Sequence, residues 1–153
     1  MNIRPMLAQD VPVIAHWMIE LPLWQRYGVT EVGASAQFGE ALEHTNDLLL
    51  VAEAKSDGFA CGFAQCLHGG AFGRSDYLRL IGVCADYVGE GIGAALLTEV
   101  EAQSRSSDLF LLTSDFNEGA QRFYRRMGYE QVGAIPGYVV PDVTELIFRK
   151  RLH

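Results

Sequence analysis

Positive charge is what this chain lacks most visibly. Its 12 lysines and arginines face 19 aspartates and glutamates, for a net charge of −7, and they form no cluster beyond the terminal Arg-Lys-Arg-Leu. Without a basic patch, neither nucleic acid nor an anionic membrane is expected as the main partner. An acidic surface instead tolerates or attracts a cationic small molecule. Cysteine is scarce too: three residues, an odd number with no C-x-x-C spacing, argue against a disulfide framework and a zinc site, and no metal is expected. Cys61 and Cys84 lie in apolar stretches and read as small buried hydrophobes. No apolar run reaches the about 18 residues of a membrane helix, and MNIRPMLAQD carries no hydrophobic signal region, so a cytoplasmic protein is expected. Repeats and low-complexity linkers are missing as well. Residues 1–153, 49% of them hydrophobic, are therefore read as one domain with a core of its own.

What is present alternates between strand and helix patterns. Residues 2–5 read as a short strand, and Asp10 as the N-cap of a helix that runs to about Glu20, where Leu-Pro-Leu breaks it. A second helix fits 34–44. LLLVAEA (48–54) and GFACGFAQCL (58–67) read as a hairpin, HGGAFGRS as a loop, and the nearly continuous apolar run 77–85 as a central strand. A helix follows to about Ser104, with Ile92, Leu96 and Val100 on one face. Then come a strand (108–114), a helix (117–127) closed by Gly128, and strands near 129–135 and 143–149. The order predicts an α/β fold with a mixed sheet flanked by helices.

Between the central strand and its helix stands Asp86-Tyr-Val-Gly-Glu-Gly-Ile-Gly93, with glycine at 89, 91 and 93. Gly89-x-Gly91-x-x-Ala94 fits a dinucleotide fingerprint, with Asp108 about twenty residues on. That fingerprint belongs to the first βαβ unit of a six-stranded parallel fold, and only about 60 residues remain here. A nucleoside triphosphate loop fails, because no Gly-Lys-Ser/Thr follows. A tight strand-to-helix turn without ligand is the plainer alternative.

A second stretch, SDFNEGAQRFYRRMGYEQVG, carries Asn117, Ala120, Phe123, Tyr124, Arg126 and Gly128-Tyr129. Asn117 and Tyr124, seven apart, share one helix face. The glycine turn and the N…A…FY…GY helix together resemble the GNAT (Gcn5-related N-acetyltransferase) superfamily, and the likeness runs through nearly the whole chain. It implies a GNAT fold: a mixed, mostly antiparallel sheet of six to seven strands flanked by about four helices. It also implies acetyl-CoA as co-substrate, its pyrophosphate held by the turn Val88-Gly89-Glu90-Gly91-Ile92-Gly93 and the helix N-terminus. The family has Arg or Gln where Val88 stands, so one side-chain contact is missing.

By the same resemblance, the central strand splays from its neighbour near Val83 and Cys84 and offers backbone N–H to the thioester oxygen, Asn117 contacts the CoA arm, and Tyr124 is the general acid. A phenol of pKa ~10 stays protonated while a thiol near ~8.5 leaves as thiolate. Some relatives carry a carboxylate on the strand before the turn, but Arg79 and Ile81 are the nearest equivalents in this chain. Asp115 is then the catalytic carboxylate expected, with Glu20, Glu31, His68 and a water chain open. Trp17, Trp24, Tyr27, Phe38 and Tyr138 are the aromatics expected around the acceptor, or in the core. The expected partner is a primary amine on a small molecule or peptide, and a homodimer is compatible. The different-class alternative is an acyl-CoA-binding sensor of the same fold without turnover.

Overall fold

Residues 1–153, all described in a computed structural model, form a seven-stranded sheet. The strands are β1 (Asn2–Pro5), β2 (Asp47–Glu53), β3 (Ala60–Ala71), β4 (Ser75–Val83), β5 (Asp108–Ser114), β6 (Glu130–Pro136) and β7 (Thr144–Arg151). Their order is β1-β2-β3-β4-β5-β7-β6, antiparallel throughout except for β4 and β5. That one parallel pair needs a crossover, which the helix α4 (Ile92–Gln103) supplies. The mixed, mostly antiparallel α/β sheet agrees with the sequence reading.

Strand alternation gives the sheet two apolar faces. Val51 and Phe63 pack with Trp17 and Phe38 under α1 (Asp10–Met18), α2 (Pro22–Arg26) and α3 (Glu31–Ala41). Leu50 and Ala64 point the other way, onto Leu96, Leu97 and Tyr124 of α4 and α5 (Glu118–Arg126). Five α-helices are present, one more than expected. Pro22 does not merely end α1. It stands at the first position of α2, where its missing N–H costs nothing. α3 starts earlier than expected because the Thr30 hydroxyl caps it, accepting from Gly33 N–H at 3.0 Å. Asp10 is the first helical residue and not the cap. Its carboxylate takes the Leu7 N–H at 2.7 Å and the Arg4 guanidinium at 2.7 and 2.8 Å. The expected loop HGGAFGRS is mostly strand: β3 runs on to Ala71, with a register shift between Leu67 and Ala71 absorbing its glycines.

β4 and β5 stay together for only three pairs, Asp76–Leu109, Tyr77–Phe110 and Leu78–Leu111. On the other edge of β4, Leu80 pairs with Gln65 and Leu78 with Cys66, so Arg79 is an extra residue, a bulge. Bulges bend a strand and end pairing. The β4–β5 contact stops where this one begins, and both strands continue apart. The closed end is pinned by Asp76, which is buried. Its carboxylate accepts from Gly69 N–H (3.0 Å), the Ser104 hydroxyl (2.8 Å) and Arg105 N–H (2.8 Å), and contacts His68 Nδ1 at 2.9 Å. Burial pushes its pKa up, but the Arg105, His68, Gly69 and Ser104 contacts outweigh that and hold it below the usual carboxylate value. A depressed carboxyl pKa stabilises the fold above the unfolded value near ~3.9, and the contribution is lost as pH falls through the native value. Asp76→Ala strands several buried donors at once and should cost about 3–5 kcal/mol in urea unfolding. Its stability should also lose part of the wild-type decline below about pH 4.

Candidate active site

Where β4 and β5 part, a cleft of about 1140 Å³ passes between them. Leu23, Trp24 and Tyr27 line it from the α1–α3 side, and the glycine turn, Asn117, Phe123 and Tyr124 line it from the α4–α5 side. The opening therefore runs through the sheet, reachable from both faces.

The β4 wall is unpaired backbone. Cys84 N–H donates to Cys61 C=O at 2.8 Å, which makes Gly62–Val83 a non-hydrogen-bonded pair. Val83 thus turns its own N–H and C=O away from β3, toward the gap. Alternation does the same for Ile81. Cys84 itself is buried, spends its N–H on Cys61, and does not line the cleft.

The glycine turn closes one end. Gly89 and Gly91 have φ of +88° and +79°, a region that disfavours side chains, and a Cβ on either would meet open space. Gly91 is the N-cap residue of α4 without a side chain to offer, and the first helical bond is Ala95 N–H to Gly91 C=O at 3.1 Å. The N–H groups of Ile92, Gly93 and Ala94 have no intrahelical partner, which is what an anion at a helix N-terminus requires. Val88 stands exposed at 68% and supplies no charge. Glu90 is exposed and outside the lining. Arg126, from the last turn of α5, does line the cleft and makes no ion pair, a cation that sequence reading did not assign.

Asn117 caps α5, accepting from Ala120 N–H at 3.1 Å. One helix face below, Tyr124 is 6% exposed and packs edge-on against Phe123 and Tyr129. Its hydroxyl has no protein partner, yet it is not sealed in the interior, so it opens on the cleft. Burial, with the Tyr77 hydroxyl nearby, pushes its pKa well above the ordinary tyrosine value, so it stays protonated at any working pH.

The carboxylate in the cleft is not the expected one. Asp115 is exposed at the end of β5, where it accepts from Thr144 N–H at 3.2 Å, and does not line the opening. Glu31 pairs with His16 at 3.1 Å on the surface, Glu20 is exposed, and His68 serves Asp76. Glu145 of β7 is the acidic residue that lines the cleft, and it is 5% exposed. The Tyr27 hydroxyl donates to Glu145 Oε2 and shares a second bond with Ser114 Oγ, so Ser114 is the donor there. Burial and the Glu145 carboxylate push the Tyr27 pKa up to about 12, which keeps it a donor. Of the expected aromatics, Trp24, Tyr27 and Tyr138 line the cleft, whereas Trp17 donates to Ala60 C=O at 2.9 Å and Phe38 is fully buried, both in the core.

A mixed sheet split beside a bulge, with a glycine turn opening the crossover helix, defines the acetyltransferase class of fold. The family model for the acetyltransferase (GNAT) family matches residues 13–129, and the chain belongs to that family. Among solved structures, an aminoglycoside 6′-N-acetyltransferase complexed with coenzyme A superposes with a TM-score of 0.82 at 15% identity, covering 100% of this chain and 98% of that one. A GNAT-family acetyltransferase from Bacillus cereus ATCC 10987 gives 0.79 at 19%, covering 98% and 96%. The ribosomal-protein-S18-alanine N-acetyltransferase from Escherichia coli gives 0.76 at 19%, covering 99% and 93%. No curated protein matches the chain in sequence. No helix is long and apolar enough to cross a membrane.

Gly93 separates fold from ligand approach. A Cβ there would sit 3.6 Å from Phe123, an ordinary contact, and the backbone is helical. Gly93→Ala should leave thermal stability unchanged or raise it by up to about 1 kcal/mol. The melting shift produced by coenzyme A should shrink, because the methyl narrows the strip where a ligand reaches the N–H groups.

Proposed function

We propose that this protein transfers the acetyl group of acetyl-CoA to the nitrogen of a primary amine on a small molecule or peptide. The observation that carries this reading is the cleft through the sheet, with an unpartnered Tyr124 hydroxyl on one side and the buried Glu145 carboxylate on the other. Membership of the GNAT family supports acetyl transfer, and the complex of a structural neighbour with coenzyme A supports the co-substrate.

The co-substrate enters from the α4–α5 side. Its pyrophosphate takes the N–H groups of the turn around Gly89, Gly91 and Gly93, with Arg126 as the nearby free cation. The pantetheine arm lies along β4 beside the outward-facing groups of Ile81 and Val83, next to Asn117. The amine enters from the α2 side as an ammonium ion. Glu145 takes its proton, the freed lone pair forms a C–N bond to the thioester carbon, and the C–S bond breaks. Tyr124 donates its proton to the departing thiolate and recovers one from the new amide nitrogen, while Glu145 releases its proton to water. Oxyanion stabilisation by the Val83 N–H complements these steps.

Two substitutions test the roles. Tyr124→Phe keeps the ring and loses no protein hydrogen bond, so stability should change by less than about 1 kcal/mol. Its kcat should fall by roughly 10²-fold, with coenzyme A binding intact. Wild-type turnover would return Tyr124 to the role of core aromatic. Glu145→Gln should lower kcat/KM by roughly 10²-fold near neutral pH. Its rate should then climb with pH as the amine loses its own proton, closing most of the gap near pH ~10. A deficit constant with pH would count against proton transfer to Glu145. A protein that binds coenzyme A but releases no thiol with any amine would favour the sensor reading.

A further inference from the structure

Two opposite charges share the acceptor half of the cleft, and neither is used up by the fold. Glu145 is buried there, its carboxylate fixed by Tyr27, with one lobe of its oxygens free for a cation. Arg79, the bulge residue, lines the same cleft and also a polar groove beside it with Gln37, Asp47 and Gln65, and its guanidinium makes no ion pair and no hydrogen bond. Tyr77 and Tyr138 line the cleft together with Arg79 and Glu145, and the two charges act on the Tyr77 hydroxyl in opposite directions.

We propose that the acceptor amine also carries a carboxylate, its ammonium seated on Glu145 and its carboxylate on the Arg79 guanidinium. This rests on the acetyl-transfer reading above and narrows its substrate to amino-acid-like molecules. A guanidinium presents a planar fork of donors matched to a carboxylate. Left unpaired at the mouth of a cleft, it recruits an anion and repels a second cation. A polyamine would meet that repulsion with a single carboxylate, Glu145, lining the cleft to compensate. The bulge matters here: it lifts Arg79 out of the strand pairing and re-aims it where the two strands separate.

The experiment uses the full chain and matched triplets of amino acid, amino-acid amide and decarboxylated amine: α-alanine, β-alanine and phenylalanine series, with glycine and γ-aminobutyrate added to vary the spacing of the two charges. Thiol release from acetyl-CoA gives kcat/KM, and the melting shift on adding each compound to the coenzyme A complex gives binding. In at least one series the amino acid should exceed its amide by about tenfold or more, the worth of one charge-assisted pair. Arg79→Gln should bring that ratio to near one, and Arg79→Lys should keep part of it. Equal or better amides and decarboxylated amines in every series overturn the proposal, as does a ratio that Arg79→Gln leaves unchanged. Amino acids that bind in an Arg79-dependent way without thiol release uphold the bipolar site and overturn acetyl transfer instead.

Discussion

Three residue pairs hold β4 and β5 together, and the buried Asp76 carboxylate holds the three pairs in place. It gathers the β3 hairpin at Gly69, the end of α4 at Ser104 and the approach to β5 at Arg105 onto one group. Every other feature of the site follows from that short contact. Because the strands are fixed at one end and the bulge at Arg79 bends β4 away, the gap widens toward the glycine turn. A fully paired sheet would have no opening, and Tyr124 would face only its aromatic neighbours.

The electrostatics of the cleft differ from those of the whole chain. Net charge is −7, yet the lining holds two arginines and one carboxylate. The two cations lie apart, Arg126 on the α5 side and Arg79 at the bulge. The two tyrosines that matter chemically are both pushed toward the protonated form, Tyr124 by burial and Tyr27 by burial together with Glu145. Each is thereby a donor of fixed sense, which in the proposed reaction points one toward the leaving thiolate and the other toward the carboxylate that meets the amine.

Much of the fold could be read from local rules. Glycines at 89 and 91 do take the left-handed conformations that favour glycine, and the spacing of Ala120, Phe123, Tyr124 and Met127 does put them on the buried face of α5. Asn117 does cap its helix. What stayed hidden depends on distance in sequence. Glu145 meets Tyr27 across 118 residues, which no local pattern reports. Strand alternation gives no signal for it either: the apolar face of β7 is Leu146 and Phe148, and Glu145 stands on the other with Ile147 and Arg149. The extra residue at Arg79 is invisible without the partner strand, since a bulge is a mismatch between two strands and belongs to neither alone. Asp115 follows the end of β5 at the site, as the sequence suggests, but its carboxylate serves the neighbouring Thr144 backbone.

The through-going cleft also gives the molecule a mechanical character. β1 to β4, with α1 and α3 packed on them, form one leaf, and β5, β7 and β6 form the other, joined along a spine only three residue pairs long. Such a book is clasped beyond its spine: the Tyr27 hydroxyl of the segment closing α2, on the first of the two covers, reaches Ser114 and Glu145 on the second. A molecule laid along β4 from one side would add a page, supplying the pairing that the two covers lack. In doing so it would set the width of the slot presented on the opposite side. The two reactants would then communicate through the gap itself, with the first to bind defining the fit of the second.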